Sequence, residues 1–162
     1  MKLTPVLLFI FFLTALIPSS HAADAAEKYQ PGDSFAGFST KDQHDTTYTY
    51  SGGARLIFVT FAMNPGKTAN AFFSRQPANF LAEHRALFIS SIYGMPGFVR
   101  SFVLPKMRKY PHQILLADTK DFLARYPEQE DKITVLRVDE KGTIETILFL
   151  SSESELAAIF KS

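Results

Sequence analysis

The sequence predicts an α/β sandwich, with helices flanking a central mixed β-sheet, and three observations carry that reading. Apolar runs rich in β-branched residues recur along the chain and alternate with segments of helical period. Residues 133–150 read as a β-hairpin, which makes the sheet mixed. The chain has 162 residues, 46% of them hydrophobic and 20% charged, as in one ordinary globular domain.

The chain opens on a segment that stands outside the domain. Lys2 precedes an apolar run of 12 residues, 6–17, broken only by Thr14, and small residues follow up to Ala22 and Ala23. That pattern predicts a signal peptide over residues 1–22, cut after Ala22. Its apolar run is well short of the ~20 residues that span a bilayer, and no later run is long enough. The chain is therefore expected to be exported, soluble and without a stable membrane anchor; an uncleaved anchor is the alternative. Residues 23–30 read as a mobile lead-in and residues 31–162 as a single domain.

Residues 56–62 (LIFVTFA) form a nearly continuous apolar run, expected of a parallel strand covered on both faces. Asn64, Pro65 and Gly66 break it, and 68–75 reads as a helix with Ala69, Phe72 and Phe73 on one stripe. Residues 78–84 suit a second short helix. Residues 86–93 form the next strand, closed by Gly94. Pro96 is placed to start a helix bearing Phe98, Val99, Phe102 and Val103, which Pro105 ends or kinks. Residues 112–117 make a third strand, and Asp118 is positioned to cap a helix over 119–126. The hairpin pairs 133–138 with 143–150 around a turn at 139–142. Ser152 and Glu155 form a capping box for a last helix ending near Phe160.

Composition excludes several function classes. Cysteine is absent, so no disulfide, thiolate nucleophile, CxxC centre or cysteine-held metal can form. The chain carries 17 Lys+Arg against 16 Asp+Glu, and losing Lys2 with the signal peptide leaves the two signs equal. That balance argues against a nucleic-acid partner. His44, His84 and His112 match no metal-ligand spacing, and Asp42, His44 and Asp45 suit a polar turn before a strand. No metal site and no cofactor are expected. Ser90, Ser91 and Tyr93 lie at a strand end but lack a G-x-S-x-G elbow, and GxGxxG is missing.

Three stretches resemble the thioredoxin-like superfamily in its peroxiredoxin-like form, over roughly residues 30–160. They are Pro31-Gly32-Asp33-Ser34-Phe35 with Lys41-Asp42-Gln43-His44, the strand at 56–62 with the turn and helix after it, and residues 110–118 with Phe122, Tyr126 and Val138 to Ile144. The resemblance implies a three-layer thioredoxin-like sandwich with its active site where the first central strand meets its helix. Redox cysteines belong there in the family, whereas this chain has Met63-Asn64-Pro65-Gly66-Lys67-Thr68-Ala69-Asn70. A cis-proline belongs before the strand at 133–138, and Glu130-Asp131-Lys132 stands in its place. Thiol-disulfide or peroxidase activity therefore does not carry over. Tyr93-Gly94-Met95-Pro96 and Leu104 to Pro111 further resemble a group of bacterial exported thioredoxin-like proteins, which makes the periplasm the expected compartment.

Two clusters are candidate sites, and no catalytic residue is assigned. Asn64, Gly66, Lys67 and Thr68, with Tyr93 beside them, are the candidate ligand-binding residues, because a helix start after a buried strand favours an anion. Pro65-Gly66-Lys67-Thr68 ends like a phosphate loop, but Phe61 occupies the first glycine position, so a plain helix-capping loop is the other reading. Arg100, Lys106, Arg108, Lys109 and Tyr110 form a basic cluster, either a solvated helix end or a docking patch for an acidic protein surface or anionic lipid, with Phe102, Met107 and Tyr110 as apolar contacts. The expected function is a non-catalytic accessory or assembly factor binding another exported protein or peptide. The alternative is a small enzyme or cofactor-binding protein using the same strand-end cleft.

Overall fold

The computed structural model describes residues 27–161, so the expected signal peptide lies outside the described residues. The elements are β1 (Phe38–Asp42), β2 (Thr47–Tyr50), β3 (Leu56–Thr60), α1 (Met63–Phe73), α2 (Phe80–Glu83), β4 (Ala86–Ser91), α3 (Gly97–Met107), β5 (Leu115–Ala117), α4 (Lys120–Ala124), β6 (Ile133–Val138), β7 (Ile144–Leu150) and α5 (Glu153–Ile159). They form one 7-stranded sheet in the order β2-β1-β5-β4-β3-β6-β7. The three central strands run parallel, with Phe58 beside Phe88 and Ile89 beside Leu115. Antiparallel pairs flank them at β1–β5 and β3–β6, so the sheet is mixed, as the hairpin signal required.

Alternation along the central strands divides two cores. Phe58, Phe88, Ile133 and Val135 face α1, α2, α3 and α5 through Phe72, Phe73, Leu81, Met107, Leu156 and Ile159. Ile57, Val59, Leu87, Ile89 and Leu136 face the other way, against Phe35, Tyr50, Tyr126 and the α4 side chains Phe122 and Leu123. Residues 57–60 are buried on both faces, hence the unbroken apolar run. The second core also anchors the start of the domain. Tyr29 is 5% exposed, its N–H donates to the Arg125 carbonyl at 2.7 Å, and its ring lies 5.5 Å from those of Phe35 and Tyr126. Tyr29, within residues 23–30, is thus packed into this core.

Several boundaries differ from the sequence reading. The β1–β2 hairpin, absent from it, is short and polar on one face, and the turn within it explains the Asp42, His44, Asp45 group. Asp42 Oδ1 accepts from the His44 and Thr46 N–H groups at 2.8 and 3.0 Å, and Asp45 adopts φ 67°. Pro105 does not end α3, which runs on to Met107. Thr119, not Asp118, caps α4, its Oγ1 accepting from the Phe122 N–H at 3.2 Å. The capping box at α5 is formed as expected: Ser152 Oγ accepts from the Glu155 N–H and Glu155 returns a bond to the Ser152 N–H at 3.0 Å. Ser152→Ala is expected to cost about 1 kcal/mol, read as a fall of a few degrees in Tm; an unchanged Tm would show that packing alone holds α5.

Candidate functional site

Parallel pairing brings the carboxyl ends of β3, β4 and β5 to one edge of the sheet. Thr60 and Ser90 are paired there in register and both are buried, with Thr60 Oγ1 donating to Ser90 Oγ at 3.3 Å. α1 covers them. A Cβ on Gly66 would lie 3.7 Å from Thr60 Oγ1, so the helix sits directly on this polar pair. Ser90 is therefore a capped core hydroxyl, while Tyr93, just beyond β4, is 51% exposed.

The segment read as a loop at residues 63–70 is helix from its first residue, and this corrects the sequence reading. α1 starts at Met63 with Ala62 as its N-cap. Pro65 falls in the first turn, where an N–H has no intrahelical partner to lose, so it fits the helix instead of breaking the strand off into a loop. The candidate ligand residues are consequently spread around a helix. Asn64 is exposed, and its carbonyl accepts from Thr68 Oγ1 at 3.3 Å. Gly66 is buried against the strand, whereas the Lys67 side chain is exposed and makes no hydrogen bond or ion pair among the described residues. No side chain caps α1 and no acidic residue lies in its first turn.

Asn70, at the end of that segment, is committed to the core. Its Nδ2 donates to the Gly66 carbonyl at 2.8 Å, which turns Oδ1 toward His112 Nε2 at 2.9 Å. His112 is 1% exposed, packed by Phe73, Phe88 and Tyr110, and its Nδ1 has no partner. Burial pushes the imidazole down to about 4 from its ordinary 6.5. His112 is thus a neutral tie between α1 and the chain entering β5, not a ligand or a base open to solvent.

The basic cluster is divided by the fold. Arg100 reaches back to the strand ends, where Nη1 and Nη2 donate to Asp118 at 3.1 and 2.7 Å and Nη2 donates to the Ile92 carbonyl at 3.0 Å. Asp118, freed from capping, thereby clamps α3 to β4 and β5. Arg108 Nε donates to the Gln43 carbonyl at 2.9 Å, and Tyr110 stacks on His112 with ring centroids 5.3 Å apart. Met107 is 6% exposed and belongs to the core, so it is no surface contact. Lys106 and Lys109 remain exposed. Phe102 is a surface residue at 70% exposure, and Phe98 joins it at 72%.

No family profile and no curated protein matches the sequence. Solved structures do match the fold. A thiol:disulfide interchange protein, DsbE, from Chlorobium tepidum superposes with a TM-score of 0.57 at 11% identity, covering 82% of this chain and 94% of that one. A thio-disulfide isomerase from Thermus thermophilus gives 0.51 at 20% identity over 82% and 96% of the two chains. A peroxiredoxin-like protein from Aquifex aeolicus gives 0.52 at 10% identity over 85% and 89%. The fold is thioredoxin-like. Identities this low establish the architecture alone, and this thioredoxin-like chain has no cysteine with which to do thiol chemistry.

In the thioredoxin-like frame, the start of α1 is the place where the resemblance puts the redox pair, and Met63 stands there 59% exposed. Glu130-Asp131-Lys132 stand where the resemblance puts the cis-proline, and no cis peptide bond occurs among the described residues. What the site offers instead is apolar surface. The large hydrophobic side chains left exposed among the described residues are Met63, Tyr93, Phe98 and Phe102. Met63 follows β3, Tyr93 follows β4 and Phe98 opens α3 just beyond, so these three belong to the same end of the sheet, and Phe102 stands one turn further along α3. Met63 and Phe98 were not among the candidate site residues read from the sequence; a Met directly after a buried strand and an aromatic two residues after Pro96 were their only signals. Among the described residues no group of His, Asp and Glu could hold a metal, and no helix is long and apolar enough to cross a membrane.

Proposed function

We propose that this chain is an exported, non-redox thioredoxin-fold protein that binds another exported protein or peptide through the carboxyl end of its parallel strands, in the periplasm. The observation that carries the reading is the exposure of Met63, Tyr93 and Phe98 there, with Phe102 one turn along α3, when every other large apolar side chain of the described residues is more deeply covered. Exposed apolar side chains gathered at one end of a fold mark a surface that a partner covers. Beneath it the Thr60–Ser90 pair is sealed and the Arg100–Asp118 clamp fixes the start of α3, so the surface is held in place before anything binds.

The test is site-specific photo-crosslinking in the native host, with the photoreactive group at Phe98 or Tyr93 and, as a control, at Lys141 in the β6–β7 turn at the opposite end of the sheet. A defined protein adduct is expected from positions 98 and 93 and none from 141. Equal adducts from all three positions, or a small molecule held in stoichiometric amount by native mass spectrometry, would overturn the reading. The same spectrum tests export: the mass should correspond to a chain beginning at Ala23, and a chain retaining Met1 would contradict it.

A further inference from the structure

Resting on that reading of the strand-end face, we propose that the partner segment is acidic as well as apolar, and that it lies along the outer stripe of α3. The charge distribution around the exposed aromatics carries this. From His84 to Ala117 the chain contains no Asp or Glu, yet it has Arg85, Arg100, Lys106, Arg108 and Lys109. Three of these are engaged internally: Arg85 Nε donates to the Gly53 carbonyl, Arg108 to Gln43 and Arg100 to Asp118. The ammonium groups of Lys106 and Lys109 are exposed and have no partner among the described residues, and Lys67 on α1 is in the same condition. These cations are aligned with the apolar residues. Phe98, Phe102 and Lys106 succeed one another at i, i+4 and i+8 on α3, and Met63 and Lys67 stand at i and i+4 on α1. Each helix thus shows an apolar group toward the strand ends and a free lysine one turn further along, spaced by about 6 Å per four residues.

A ligand matching this surface sets hydrophobic side chains on Met63, Phe98 and Phe102 and carboxylates on Lys67, Lys106 and Lys109. Other occupants fit less well. A second copy of the chain would bring its own unpaired Lys67, Lys106 and Lys109 against these lysines, which opposes a symmetric pair. A bilayer recruits basic segments with about four to eight clustered cations; here only Lys106, Arg108 and Lys109 cluster, at the end of α3, with Lys67 on a separate helix. Carboxylates on a protein segment can instead be placed one against each lysine, which gives orientation and specificity.

The experiment probes the protein, purified from its native host, with an array of 12-residue peptides that hold a Phe-Leu pair constant and vary the flanking positions among acidic, neutral and basic residues. Acidic peptides are expected to bind at least tenfold tighter than their neutral counterparts, with affinity falling as salt rises. Phe98→Ser with Phe102→Ser, and separately Lys106→Glu with Lys109→Glu, are each expected to weaken binding at least tenfold; all four side chains are on the surface, and an unchanged Tm confirms that the variants fold. If neutral and basic peptides bind as well as acidic ones and binding still depends on Phe98 and Phe102, the acidic-partner inference falls while the strand-end reading stands. If no peptide binds through these residues, both fall. Cosedimentation with vesicles containing phosphatidylglycerol, lost in the double-Phe variant and unmatched by any peptide selectivity, would overturn the proposal in favour of a membrane surface.

Discussion

Replacing Phe73 by Ala is expected to remove about 3–5 kcal/mol of stability, the range for deleting a large buried aromatic whose cavity cannot close. Phe73 is 1% exposed, and its ring lies 5.3 Å from those of Phe58, Phe72 and Phe88, 5.7 Å from His112 and 6.4 Å from Phe160. It therefore joins β3, β4, α1, the approach to β5 and the end of α5 at one point. With so many rigid partners around it, the site has little freedom to collapse, and the loss should fall toward the upper part of that range. Against the 5–15 kcal/mol typical of a whole domain, this is a large fraction. Urea unfolding measures it: the midpoint should drop steeply with the slope unchanged. Phe73→Leu, which keeps much of the volume, should lose markedly less. A loss below about 1 kcal/mol for the Ala variant would mean that α1 is not seated by this ring. Because α1 carries Met63 and Lys67, a loosened helix should also weaken the strand-end surface, so binding and stability are expected to fall together in this variant and separately in the surface variants.

The central strands and the β6–β7 hairpin were legible because their physics is local to the sequence, whereas the short, half-polar β1 and β2 were not. Residues 57–60, 86–90 and 133–136 are buried on both sides, and that condition writes an apolar run without alternation. The α5 cap was legible for the same reason, since Ser152 and Glu155 complete it within one turn. The candidate site was less so, because its arrangement depends on which stripe of a helix turns inward. On α3, Phe98-Phe102 and Val99-Val103 are adjacent apolar pairs, and either could face the core. Following each for one more turn resolves it: the first reaches Lys106 and the second reaches Met107, which is buried. At α1, Pro65 and Gly66 carry the composition of a turn, and only the first-turn exemption for proline lets the helix start two residues before them. Asp118 and Arg100 lie 18 residues apart and meet through tertiary structure alone, as do Asn70 and His112.

Lowering the pH from 6.5 toward 4 is expected to destabilise the fold by about 3 kcal/mol through His112 alone, since each tenfold change in proton affinity is worth about 1.4 kcal/mol. The bonding network fixes the protonation state. The Gly66 carbonyl can only accept, so Asn70 presents Nδ2 to it and Oδ1 to His112, which requires the proton on Nε2. Nδ1 is then bare, buried and without a partner, so a second proton would arrive where nothing accepts it and where desolvation penalises the charge. The folded imidazole consequently titrates at about 4, whereas the unfolded one titrates near 6.5. Between those values the unfolded state binds the extra proton and the folded state does not. The stability is thus fully present above pH 6.5 and is lost as pH falls toward 4. The carboxylates of Asp45, Asp139 and Glu155 are held below their ordinary values, by Lys41 for the first and by backbone N–H groups for the other two, so their stabilisation is lost only at the acid end, below the ordinary carboxylate range. The interval from 6.5 to about 4.5 therefore isolates the imidazole. Urea unfolding of the wild type across that interval should show a fall of roughly 1 kcal/mol per pH unit, and His112→Gln, whose amide can still donate to Asn70 but does not titrate, should flatten it. An equal slope in both proteins would place the titrating group elsewhere and reduce the His112–Asn70 tie to packing.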